Sequence, residues 1–542
     1  MSPNACMSSA PADPSNALTR SAAHLPTLAL IIGYLLFWIE MWIHPGPSTS
    51  WVSWIFLGAA AIPVLYRQMR PIEHQPLPKM GVLGWTALAG GAVILGLALA
   101  QSFLPPHLTQ ELDALNYHYT LARQHLILGG FRHLPWSAAD LWPMPLQFGL
   151  APYWFATSLP NKIPQMIFLI GLIAVAMRLV RRLSSCRSGP WVAAAAILGS
   201  HGMNIQFGSS MLDIPLTYLA LAALDSWIDG NAMMGGIELA FYAWSKAFMP
   251  IQMASVFIVL LMVAWLSRRM GWRLALGFGE TERWDFSWPI TRSFLRSFAL
   301  ASLFIGGPFV AKSLIYAGTP LYPFYPLAWG GRLMKDPVVA EALRHAAALQ
   351  LQIRNAYGEG RSLRALATHA WSVSVPSKGV NNAFDYPLGL PWLLFLGPFL
   401  VLQWRTLRER RVSVLGMAAL TLWGLWWMGS QQSRWLYLPS LLMIIASCGV
   451  DRIAEDRVLH GCLVVALLLS ALSLSRAYGP DLKHWPRPVL RAQDRALLER
   501  SRSIPAGRCL TVDDKEAAYS ERAVSVEEKP SDWVLSHPAP RD

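Results

Sequence analysis

Apolar residues in this chain come in long blocks separated by short polar connections. They do not form the narrow stripes of a half-buried soluble helix or strand. Several blocks approach the ~20 residues that a helix needs to cross a bilayer. The pattern predicts spans at about 24–44, 51–66, 82–104, 163–180, 190–207, 212–229, 232–247, 250–266, 293–316, 388–404, 412–428, 435–450 and 458–475. The expected fold class is an all-α polytopic membrane protein, a bundle of ~13 transmembrane helices. Two long connections, about 105–160 and 317–386, fall on one face. They contain LPWSAADLWPMPLQFGLAPYWF and AGTPLYPFYPLAW, whose Pro and aromatic residues suit segments lying along the membrane surface.

Composition agrees with this pattern. Of 542 residues, 54% are hydrophobic and only 14% charged, which excludes an ordinary soluble chain of this length. The net charge of +13 would point to nucleic acid in a soluble protein. Here much of it sits in short loops, at Arg178, Arg181, Arg182 and Arg187, at Arg268, Arg269 and Arg273, and at Arg405, Arg408, Arg410 and Arg411. That is the positive-inside pattern, so no nucleic-acid partner is expected. It orients the chain in the cell (inner) membrane with both long loops facing the periplasm or exterior. Residues 1–23 are expected to be a disordered cytoplasmic N-terminus, 24–475 the membrane domain, and 476–542 a polar tail on the outer side. The first span reads as a retained anchor rather than a cleaved signal. None of the five cysteines forms a CxxC or other metal spacing, and no P-loop, G-x-S-x-G or HExxH occurs.

Polar residues at the outer ends of the spans carry the candidate chemistry. Glu111 and Asp113 open the first long loop in TQELDALNYH, and Asp113, Asn116 and Tyr117 share a face if a helix starts there. Asp213 begins an apolar run in MLDIPLTYLALAAL, where an acid beside Pro is also an ordinary helix start. Lys246 lies between two apolar runs in FYAWSKAF. Arg434 is a lone cation in the outer connection GSQQSRWLYLP, where the positive-inside rule disfavours it. His118 and His125 are too far apart for an ordinary local metal pair.

In order, these segments resemble the GT-C glycosyltransferases, the multi-spanning enzymes that use polyprenyl-phosphate-linked sugars and include the aminoarabinose transferases and protein O-mannosyltransferases. ELDALNYH resembles their first periplasmic loop, and MLDIPLTYLALAAL their second acidic segment. FYAWSKAF, SLIYAGTPLYPFYPLAW and SRWLYLPSLLMIIAS resemble three later segments, so the likeness covers about 100–450. Two features depart from the family. The acids are Glu-Leu-Asp rather than adjacent, and the tail is too short for the soluble domain of oligosaccharyltransferases.

The resemblance implies transfer of a sugar from a polyprenyl-phosphate donor to a lipid, glycan or protein acceptor, with inversion at the anomeric carbon. Asp113 is then expected as base, with Glu111 as its alternative or partner. Asp213 would orient the acceptor or repel Asp113, Lys246 and Arg434 would hold the phosphate, and His118 and Tyr117 would support them. No cofactor is certain from the resemblance, and the carboxylates could hold Mg²⁺ or Mn²⁺. Two other classes fit part of the pattern. An O-antigen ligase or polysaccharide polymerase would rely on Arg344, His345, Arg354 and His369 in the late loop. A lipid-sugar transporter would show mid-membrane charges and pseudo-repeats.

Overall fold

The computed structural model describes residues 15–43, 52–59, 81–106, 109, 111, 113–134, 137–156, 161–184, 186–279, 288–324, 329–375 and 384–482, with two short strands at 510–512 and 524–526. The helices are α1 (Ser15–Ile43), α2 (Val82–Ser102), α3 (Tyr119–Leu128), α4 (Pro145–Trp154), α5 (Ile163–Leu183), α6 (Gly189–Leu198) and α7 (His201–Phe207). They continue with α8 (Asp213–Ile228), α9 (Ala232–Trp244), α10 (Met249–Met270), α11 (Trp288–Ile305) and α12 (Gly307–Ala317). The last are α13 (Pro337–Ala356), α14 (Leu363–Ser374), α15 (Leu390–Arg408), α16 (Val414–Met428), α17 (Tyr437–Cys448) and, after one short turn, α18 (Arg457–Leu482).

Six of the described helices are long and apolar enough to cross a membrane, and α11 with α12 makes a seventh if that pair, bent by 54°, is one span. The expected count of about 13 is not reached on that measure. Several of the other expected spans are helical but shorter, such as α6, α16 and α17. The run expected at 190–207 is broken into α6 and α7 by Gly199 and Ser200. Part of the segment expected at 51–66 lies outside the described residues, as do residues 1–14 and most of the tail. The final helix runs on to Leu482, past the expected end near 475.

The core lies where helices meet through small residues. A Cβ added to Gly33 on α1 would come within 1.9 Å of the Gly149 carbonyl oxygen on α4, so neither backbone tolerates a side chain there. Gly236 plays the same part between α9 and α11, where a Cβ would sit 2.6 Å from the Phe298 amide nitrogen. In a bilayer, close backbone approach of this kind supplies packing that hydrophobicity alone does not. By contrast α10 buries only Met249 and Ser267 and exposes Ile258, Met262 and Trp265, the profile of a helix facing lipid.

The arginine-bearing connections are knitted together. Arg178 and Arg182 on α5 both pair with Asp225, at 3.0 and 3.2 Å, and with Asp229 at the end of α8. Nearby, Arg273–Ala275 pairs in parallel with Arg411–Ser413, tying the segment after α10 to the segment before α16. Some of the arginines that the sequence offers as orientation signals therefore also serve as ion-pair partners.

Candidate active site

Five helix ends on the opposite side converge. Asp113 precedes a π-helical turn, Ala114–His118, that leads into α3. Asp213 is the first residue of α8, and Lys246 sits in the break between α9 and α10. Arg434 lies in the turn between α16 and α17, and Asp385 in the approach to α15. The chain separates these residues by up to 321 positions, and the fold brings their charges together.

Arg434 is the centre. Its Nη1 donates to Asp113 Oδ2 at 2.9 Å, and its Nε donates to Gln432 Oε1 at 3.1 Å and stands 3.5 Å from Asp385 Oδ2. Lys246 Nζ donates to Asp213 Oδ1 at 2.7 Å. Two cation–carboxylate pairs thus stand side by side, with a third carboxylate behind the arginine. Burial by itself would raise the Asp113 carboxyl, but Arg434 above all, with Lys246, more than reverses this and holds it below the usual carboxylate value. Asp113 is therefore charged at neutral pH and available as a hydrogen-bond acceptor. Burial drops the His118 imidazole to about 3, so His118 is neutral there. Burial, then the Asp113 charge, pushes the Tyr117 phenol well up, so it remains a donor toward that carboxylate.

One residue of each pair, Asp213 and Arg434, also lines a cleft. Asp213 and Arg434 line it at the polar end, while Leu216, Phe248, Met249, Trp435 and Leu438 make the remainder largely apolar. Trp435 stacks near Phe248 with ring centroids 4.2 Å apart, and the lipid-facing α10 supplies one wall through Met249 and Gln252. The lining thus sets charged groups beside an apolar surface.

Of the residues expected from the sequence, Asp113, Asp213, Lys246, Arg434, His118 and Tyr117 come into one electrostatic group. Glu111 does not share its hydrogen bonds. Its carboxylate accepts from Lys162 Nζ at 2.7 Å, from Thr109 Oγ1 at 2.6 Å and from the Ser210 amide at 2.6 Å, with the Ser210 hydroxyl also bonded to it. It is a saturated clamp between the first loop, the start of α5 and the α7–α8 connection. The sequence treats Glu111 as an alternative or partner base; the structure commits both of its oxygens elsewhere.

Among the described residues, the late-loop basic side chains have separate surroundings. Arg344 is exposed and paired with Glu341 at 3.0 Å, whereas His369 is buried and stacks on Trp423 at 5.1 Å between centroids. His345 is exposed, and the side chain of Arg354 lies outside the described residues. Among the described residues, no three His, Cys, Asp or Glu side chains are grouped to hold a metal ion. The carboxylates that Mg²⁺ or Mn²⁺ would need each already face a protein cation.

Two features escape sequence reasoning. Asp385 sits in NNAFDYPLG, where nothing local marks it as more than a loop acid. Asp140, in the first long loop, is bound by His125 Nε2 at 2.9 Å, His133 Nδ1 at 3.0 Å, Lys312 Nζ at 2.6 Å and the Leu134 amide at 2.7 Å. A signal for this knot existed, because Lys312 is a lone cation inside an apolar run and such residues need a buried partner. The knot pins the first loop to α12.

No protein-family model matches the chain, and neither does any curated protein sequence. Among solved structures, it is similar to ArnT from Cupriavidus metallidurans bound to undecaprenyl phosphate, at a TM-score of 0.49 and 11% identity, covering 83% of this chain and 87% of that one. It is also similar to the archaeal oligosaccharyltransferase AglB from Archaeoglobus fulgidus in complex with an inhibitory peptide and a dolichol-phosphate, at a TM-score of 0.34 and 12% identity, covering 77% of this chain and 58% of that one.

Proposed function

We propose that the chain is an integral membrane glycosyltransferase that moves a sugar from a polyprenyl-phosphate donor to an acceptor hydroxyl or amine at the face holding Asp113. The observation that carries this is the Asp113–Arg434 and Asp213–Lys246 pairs at the polar end of an apolar cleft walled by a lipid-facing helix. Such a cleft suits an anionic headgroup whose tail stays in the bilayer. The ordered likeness of ELDALNYH, MLDIPLTYLALAAL, FYAWSKAF and SRWLYLP to the GT-C glycosyltransferases supports the same conclusion.

Each group then has a task. Arg434 and Lys246 neutralise the charge that grows on the leaving phosphate, Arg434 as a fork and Lys246 as a point charge. Asp113 accepts the acceptor's proton as the acceptor attacks the anomeric carbon from the side opposite the phosphate, which inverts that carbon. Asp213 holds Lys246 in place, and Tyr117 and His118 fix the Asp113 carboxylate.

Photo-crosslinking tests the site. A polyprenyl-phosphate probe carrying a photoreactive group in its first isoprene units is expected to label peptides containing Phe248–Met249 and Trp435–Leu438. Labelling confined to other helices counts against the cleft as the donor site.

A further inference from the structure

The group around Arg434 holds three carboxylates, Asp113, Asp213 and Asp385, against two cations, Lys246 and Arg434. His118, neutral as described, adds no charge, and burial pushes the Tyr386 phenol up to about 12, so it adds none. Glu111 is balanced separately by Lys162. The site therefore carries one carboxylate in excess, and a phosphodiester entering it would meet net repulsion. We propose that Asp385 takes up a proton from solvent when the donor's phosphodiester docks on Arg434, so that donor binding and protonation of this one carboxyl are coupled. This rests on the donor reading given above.

The geometry singles out Asp385 from the other two acids. Asp113 and Asp213 each accept a hydrogen bond from their cation, at 2.9 and 2.7 Å, and so lose a partner if protonated. Asp385 stands 3.5 Å from Arg434 Nε, which already donates to Gln432. It is the least committed of the three. Its charged neighbours are Arg434, which attracts it, and Asp213 and Asp113, which repel it; burial is the larger influence and the net effect is to raise its carboxyl.

The backbone keeps the carboxyl at this place despite strain. Asp385 has φ 84°, in the left-handed region that non-glycine residues seldom occupy. The conformation is held from both sides by Ser433, the residue next to Arg434. The Ser433 amide donates to the Phe384 carbonyl at 2.7 Å, and the Tyr386 amide donates to Ser433 Oγ at 3.2 Å. The strand of chain that presents the arginine thus also presents its third acid. Arg434 uses Nη1 for Asp113 and Nε for Gln432 and Asp385, and its side chain also lines the cleft.

The test is a binding measurement on the full-length protein in nanodiscs. The probe is the methyl ester of a short polyprenyl phosphate, a phosphodiester whose one charge does not titrate between mildly acidic and mildly alkaline pH. Wild type is expected to bind it more tightly as pH falls, with a slope approaching but not exceeding about tenfold per pH unit for one linked proton. Asp385→Asn imitates the protonated acid, and Asn is among the residues best tolerated at positive φ. This variant should bind at every pH as tightly as wild type does at the acid end. A flat pH profile in wild type overturns the proposal, and so does an equal slope in wild type and Asp385→Asn. No binding by wild type at any pH, or binding unchanged by Arg434→Gln, overturns the donor reading itself and this coupling with it.

Discussion

Replacing Arg434 with Gln should move two quantities in a linked way. At 2.9 Å the Arg434–Asp113 pair has a gross attraction of about 6 kcal/mol at an effective dielectric of ~20. Burial of the carboxylate opposes much of this, and an adjacent opposite charge typically moves an Asp by about 1–3 pH units. Asp113 keeps 30% of its side chain exposed, which places the effect in the lower part of that range, about 1–2 pH units. The sign follows from the role. A base works when deprotonated, and Arg434 holds Asp113 below its ordinary value, so the acid limb of kcat/KM lies low in wild type. Without the guanidinium, burial dominates and the limb moves to higher pH. The same substitution removes a charge-assisted hydrogen bond to the donor, worth about 1.5–3 kcal/mol, so donor KM should rise by about 10- to 150-fold. Initial rates over a pH series, at several donor concentrations in proteoliposomes, measure both. A raised KM with an unmoved acid limb would show that Asp113 is not the titrating base, and a limb that moves downward would contradict the electrostatic account.

Other substitutions test the scaffold. Lys162→Met should leave Glu111 buried and unpaired and cost about 3–5 kcal/mol, read as a lower unfolding midpoint, while the acid limb of the surviving protein stays in place. A shifted limb would return Glu111 to the chemistry. Asp140→Asn strips His125, His133 and Lys312 of their shared carboxylate and should destabilise by a similar amount, measurable as faster proteolysis of the loop between α3 and α4. Gly33→Val should abolish folded protein in detergent, because the α1–α4 approach leaves no room for a side chain; normal yield would disprove that packing.

The helices were legible in the sequence because apolar runs are local. Even the bent α11–α12 pair, at 288–317, overlaps the run expected at 293–316. Helix length was not legible. Gly199 and Ser200 interrupt a run that hydropathy reads as continuous, since averaging over a span-length window merges a few polar positions with their apolar neighbours. Within the site, Asp113, Asp213, Lys246 and Arg434 stood out as charges at the ends of apolar runs, where desolvation makes charge conspicuous. Which charge pairs with which was not legible. Glu111 and Asp113 are two positions apart, but one precedes the helical turn and the other opens it, so they take different partners. Asp385 was invisible for the opposite reason. An acid in a loop is ordinary, and only the folded position beside Arg434 gives it significance.

The most direct measurement compares wild type and Asp113→Asn in proteoliposomes supplied with membrane lipid extract known to contain lipid-linked sugars, following free polyprenyl phosphate by mass spectrometry. Release by wild type is expected, with a loss of about 10²–10⁴ in the variant, the usual effect of removing a positioned base. Absence of release from wild type, or equal release from both proteins, would contradict sugar transfer at Asp113.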